Sequence, residues 1–156
     1  MAMEIQYELK YARKDAELLT ASSRHAEALP YWKKTVELSE KVLGPEHPAT
    51  LSVLESLAQC LKRLGRHAEA LPYWQKTVEL HEMVLGSEHK STMIVWRRLA
   101  ECLVQLGHHA EALPYWQSAV DCHERLLGAE HLSTVIVRYR LEDCLSQQGL
   151  LKFATA

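Results

Sequence analysis

The chain has 156 residues, 47% of them hydrophobic and 24% charged, with a net charge of −2. That is ordinary globular composition at single-domain size. The slightly acidic balance gives no bulk attraction to nucleic acid or to an acidic membrane. No apolar run approaches the roughly 18 residues that a membrane-spanning helix needs.

The first stretch, Met1-Ala-Met-Glu-Ile-Gln-Tyr, lacks the basic segment and apolar core of a secretory signal. Residues 1–23 carry Ile5, Leu9, Ala12, Ala16 and Leu19 at three- and four-residue steps, which predicts a helix. A second helix is predicted over 24–43, with a buried stripe of Ala28, Trp32, Thr35, Val36 and Val42 or Leu43. Pro30 is expected near its first turn, where a missing N–H costs little, which pins the helix start to about residues 25–27. Gly44 suits a left-handed stop, and Pro45 and Pro48 enforce an extended link. A third helix follows over 48–64 with the stripe Leu51, Leu54, Leu57, Ala58 and Leu61, closed by Gly65.

From here the chain repeats itself. The phrase His-Ala-Glu-Ala-Leu-Pro-Tyr-Trp stands at His25–Trp32, His67–Trp74 and His109–Trp116, 42 residues apart each time. Self-similarity at such a period marks a stacked-repeat architecture. Helices are therefore expected at 67–85, 90–106, 109–127 and 132–148, giving seven helices and no strand. Residues 1–23 fill the place of the helix before each phrase. There Asp15 stands where Leu57 and Leu99 stand later, so looser packing is expected. After Gly149 the seven residues Leu-Leu-Lys-Phe-Ala-Thr-Ala are too few for an eighth comparable helix. Ile136, Leu141 and Leu145 then expect a cover, from a fold-back stub, from a longer parent array or from a second chain.

These residues carry a resemblance. Trp96-x2-Leu99-Ala100-x2-Leu103 resembles the first-helix phrase of the tetratricopeptide repeat, with Ala and Leu as departures. Ala28-x3-Trp32, Ala70-x3-Trp74 and Ala112-x3-Trp116 resemble its second-helix phrase. The 42-residue period and the link Leu43-Gly-Pro-Glu-His-Pro-Ala-Thr50 are similar to the subclass found in kinesin light chains, also appended to nucleotide-switched signalling and immune proteins. The resemblance implies an all-α fold, a tetratricopeptide-repeat right-handed superhelix (α-solenoid) of about seven antiparallel helices. It would form one array over 1–156: a half repeat at 1–23, repeats at 24–65, 66–107 and 108–149, and a tail at 150–156. Glu142 replaces the small residue of Ala58 and Ala100, so the last helix should pack less closely or bear solvent there.

Nine histidines invite a catalytic or metal reading, but eight of them recur in register. A residue copied once per repeat caps a helix or packs in a turn. His108, His109 and Glu111 make a poor metal set, because adjacent residues do not share a helix face. No nucleophile–base–orienter set and no glycine-rich phosphate loop is present. The chain is read as a non-enzyme with no catalytic, cofactor or metal residues. Cys60, Cys102 and Cys144 recur in register, on the order of 10 Å apart in a stacked array. That exceeds the Cα limit of about 7 Å for a disulfide, so the cysteines read as small buried hydrophobes in a reducing, cytoplasmic setting. The recurring tryptophans read as core.

By the resemblance, the first helix of each pair lines a concave groove. The facing positions are Arg13, Lys14 and Glu17; then Glu55, Ser56, Gln59, Lys62 and Arg63; then Arg97, Arg98, Glu101 and Gln105; and last Tyr139, Arg140 and Asp143. Seven are basic and four acidic in a chain of negative net charge. Such a wall suits carboxylates, which Arg grips in a bidentate fork. The expected function is a protein–protein interaction scaffold holding an acidic peptide, with Arg13, Lys14, Gln59, Lys62, Arg63, Arg97, Arg98, Glu101, Tyr139 and Arg140 as the groove. The alternatives are a self-assembling module, a homo-oligomer through exposed ends, and the sensor arm of a larger signalling NTPase. No nucleic-acid or membrane partner is expected.

Overall fold

A computed structural model describes residues 1–149, and these form seven α-helices without a strand. They are α1 (Ala2–Ala21), α2 (His25–Val42), α3 (Pro48–Arg63), α4 (His67–Leu85), α5 (Lys90–Gln105), α6 (His109–Leu127) and α7 (Leu132–Gln147). The tail at 150–156, with its expected fold-back, lies outside the described residues. The chain divides into two compact units, Met1–Leu80 and a second starting at His81 within α4. In the first, α1 packs on α2 and α2 on α3; in the second, α5 packs on α6 and α6 on α7.

Small residues set the helix spacing. Ala12 and Ala16 on α1 and Ala28 on α2 are buried, as are Ala100 on α5 and Ala112 on α6. Side chains this small let paired axes approach, and the tryptophans fill the remaining space. Trp32 and Trp116 are almost completely buried, each contributing on the order of 3 kcal/mol from apolar area. The Trp32 indole N–H donates to the Thr20 hydroxyl across the α1–α2 seam at 2.9 Å.

The links are built from the recurring histidines, glycines and threonines. Gly44 takes φ +92°, a backbone state that a side chain would strain. His47, the residue before α3, accepts the Ala49 N–H on its ring Nδ1 at 3.1 Å. His89 and His131 do the same for Ser91 and Ser133 at 3.1 and 3.2 Å. Each ring nitrogen satisfies a backbone donor that has no partner inside its helix. The Thr50 hydroxyl donates to the Gly44 carbonyl at 2.8 Å, and Thr92 to Gly86 at 2.7 Å. The copied histidines at these links are helix caps.

Three details differ from the sequence reading. α2 begins at His25, as expected, but Pro30 then lies past its first turn. Without an N–H it leaves the Ala26 carbonyl unpaired in the helix, and Ala26 is exposed, so water can serve it. Leu43, a candidate for the buried stripe, is exposed. The register cysteines also do more than pack. The Cys60 thiol donates to the His25 carbonyl and the Cys144 thiol to the His109 carbonyl, both at 3.2 Å. Asp15 and Glu142, expected to be poorly packed, are both exposed.

Candidate functional site

The candidate residues lie on the first helices: Arg13 and Lys14 on α1, Gln59, Lys62 and Arg63 on α3, Arg97, Arg98 and Glu101 on α5, and Tyr139 and Arg140 on α7. In the second unit, Arg97, Arg98 and Glu101 meet. Arg97 Nε stands 3.8 Å and Arg98 Nη1 3.5 Å from the two oxygens of the Glu101 carboxylate. Helical spacing dictates this, since three- and four-residue neighbours share a face. Two guanidiniums therefore share one carboxylate, leaving one net positive charge. All three side chains are about two-thirds buried, and the Nε–H of Arg97 is buried with no acceptor among the described residues.

The field of Arg97 reaches α6. The buried His123 has its pKa lowered, first by burial and then by Arg97 and His131, against a raising hydrogen bond with the Ala119 carbonyl at 2.6 Å. A buried imidazole held neutral here adds no competing charge beside the arginine. Tyr139 and Arg140 on α7 are exposed.

In the first unit, Arg13 is tied to Glu17 at 2.8 Å, while Lys14 and Arg63 stand exposed. Gln59 and Lys62 are half-buried on α3. The count of charges along this face includes Glu17 and Glu101 but not their pairing with arginines of the same helices. The signal lies in the three- and four-residue spacings. Among the described residues, no group of three or more His, Cys, Asp or Glu is placed to hold a metal ion. No described helix is long and apolar enough to cross a membrane.

A family model for the tetratricopeptide repeat matches residues 15–83, 54–115 and 91–156. The chain belongs to the tetratricopeptide repeat family. Repeats of this family generally mediate protein–protein interaction, and its members are typically non-enzymatic scaffolds. In fold, the array is of the kinesin-light-chain-like type. It is similar to the crystal structure of a Podosopora anserina kinesin-light-chain protein with nearly identical TPR-like repeats, at TM-score 0.78 and 23% identity over 99% of this chain and 71% of that one. It is also similar to the TPR domain of Arabidopsis FLU, at TM-score 0.65 and 17% identity over 78% of this chain and 98% of that one. A third likeness is to BtubC (BKLC) from P. vanneervenii, at TM-score 0.60 and 16% identity over 94% of this chain and 65% of that one. A search of curated protein sequences finds no match.

Proposed function

We propose that this chain is an interaction scaffold whose first helices hold an acidic peptide segment of a partner protein. In the second unit, Arg97, Arg98 and Arg140 would take the partner's carboxylates, with Tyr139 offering an exposed ring beside them. In the first unit, Lys14 and Arg63 supply exposed cations, and Arg13, Gln59 and Lys62 complete the face. The observation that carries the reading is the α5 cluster, where two guanidiniums share one carboxylate and the Arg97 Nε–H has no acceptor. An incoming carboxylate would balance the remaining charge. Each exposed pair contributes under about 1 kcal/mol, so affinity requires several contacts at once. Four buried cysteines with no disulfide among the described residues fit a reducing cytoplasmic setting.

The test is fluorescence anisotropy of a labelled Asp/Glu-rich peptide against wild type and Arg97→Glu/Arg98→Glu. The double variant should bind about tenfold or more weakly, and added salt should weaken the wild-type complex. Equal affinity for the two proteins removes the assignment of this face.

A further inference from the structure

The register of the repeats identifies two surfaces that hold positions buried in another repeat yet stand open among the described residues. On α3, Val53 and Cys60 are each 2% exposed, with the Cys60 thiol against the α2 carbonyl of His25. The same register positions on α1 are Tyr11 and Leu18, which are 54% and 57% exposed. They belong to a stripe with Met3 and Tyr7, all exposed, on the side of α1 away from the buried Ala12 and Ala16. Tyr7 and Tyr11 stack at 6.3 Å, and Met3, Gln6, Tyr7 and Lys10 line a shallow cavity of about 310 Å³. Lys10 and Lys14 edge the stripe, both exposed.

The second surface is on α7. Met93 of α5 is buried, whereas Val135 in its register is exposed. With Leu132, Ile136 and Tyr139 it forms an open apolar patch on the side opposite the buried Thr134, Val137 and Cys144. Glu142 and Asp143 continue that side, both exposed.

We infer that these two faces bind each other between copies of the chain, α1 of one against α7 of the next, in parallel. The same offset sets Met3 beside Leu132, Tyr7 beside Ile136 and Lys14 beside Asp143, so apolar side chains meet and Lys14 faces a carboxylate. An antiparallel alignment that sets Lys10 beside Ile136 sets Lys14 beside Leu132, which desolvates ammonium groups without partners. Pairing either face in parallel with its own copy would set lysine against lysine or carboxylate against carboxylate. The contact so formed is heterologous, a head-to-tail kind of association. One helix-on-helix contact lies at the low end of specific interfaces, below roughly 1,200 Å² in total, so the association is weak and is read at high protein concentration.

The test is light scattering of the full chain from micromolar to millimolar concentration. The wild-type mean mass should rise with concentration and fall with added salt. Tyr7→Glu blocks only the α1 face and Ile136→Glu only the α7 face. Each alone should stay monomeric, with association weakened roughly tenfold or more. Mixed in equal amounts, the two should form a dimer and stop there, because the faces left over are the blocked ones. Tyr7 lies outside the proposed peptide face, so peptide affinity should be unchanged in Tyr7→Glu, whereas Ile136 stands within one turn of Tyr139 and Arg140, where a new carboxylate should weaken the acidic peptide. Lys14→Glu and Asp143→Lys read the same contact should a charge in the apolar stripe disturb folding: each alone weakens it, and their mixture restores it. A wild type that stays monomeric overturns the inference, as does either single variant that still dimerises by itself.

Discussion

Trp32 and Trp116 occupy the same register, yet only one has its polar edge served. The Trp32 indole donates to Thr20, twelve residues earlier, at 2.9 Å. The residue twelve before Trp116 is Val104, and the Trp116 N–H is buried with no acceptor among the described residues. Val104→Thr places a hydroxyl where Thr20 stands. Satisfying a buried donor recovers about 1–3 kcal/mol. Exchanging the methyl for a hydroxyl costs up to about 0.8 kcal/mol of apolar burial, and less here because Val104 is only half-buried. The expected net gain is about 1 kcal/mol, or about 2–4 °C in Tm for a chain of this size. Urea denaturation should show a higher midpoint at unchanged slope. The decisive comparison is the same substitution beside Trp116→Phe, which has no N–H to serve. There Val104→Thr should be neutral or destabilising, so the two changes couple by about 1 kcal/mol. An equal effect in both backgrounds refutes the reasoning.

Other outcomes follow from the link and core geometry. Thr50→Val breaks the bond to the Gly44 carbonyl and should cost about 1–2 kcal/mol, whereas Thr134→Val removes a buried hydroxyl that has no partner among the described residues and should be neutral or stabilising; denaturation midpoints of the two separate the cases. The lowered His123 pKa means that the unfolded chain binds this proton more readily. Stability from this group is thus present above about pH 6.5 and lost as pH falls below it. His123→Gln should flatten the fall in midpoint between about pH 7 and 5, and an unchanged slope refutes the assignment. Burial pushes the Cys60, Cys122 and Cys144 thiols up, so an aromatic disulfide reagent at neutral pH should label them only after denaturation. Prompt labelling of the native chain would show that these thiols open to solvent.

The helix pattern is legible because burial follows the 3.6-residue period and glycine marks every stop but that of α1, where Ser23 takes the left-handed turn at φ 58°. The three copies of the His-Ala-Glu-Ala phrase set helix starts to within a residue, since His25, His67 and His109 each begin a helix. Pro30 escapes the linear reading, which weighs a proline only against the first turn. An exposed carbonyl on the solvent side tolerates the loss, and exposure of one backbone group is not visible in a linear pattern. The thiol bonds of Cys60 and Cys144 are equally hidden, because their acceptors lie 35 residues away on another helix.

The polar face is legible as a charge count but not as a charge balance. Arg97, Arg98 and Glu101 are all in plain view in the sequence, and their spacing lets them meet, but how closely the carboxylate approaches each arginine depends on rotamers. The α1 stripe shows the same limit from the apolar side. Leu18 reads as an ordinary helix residue until Cys60 and Cys144 show that its register position is an interior one. In a repeat array the copied residues specify the layer, so each departure asks what that position contacts when its neighbour differs. Thr20 against Val104, Leu18 against Cys60, and Glu142 against Ala100 are three such departures, and each alters a partner: an indole N–H, a backbone carbonyl, a close helix approach. Where the contact lies within the chain, the departure changes stability. At Leu18 and Glu142 the side chain is exposed, so the departure has little effect on the chain's own packing.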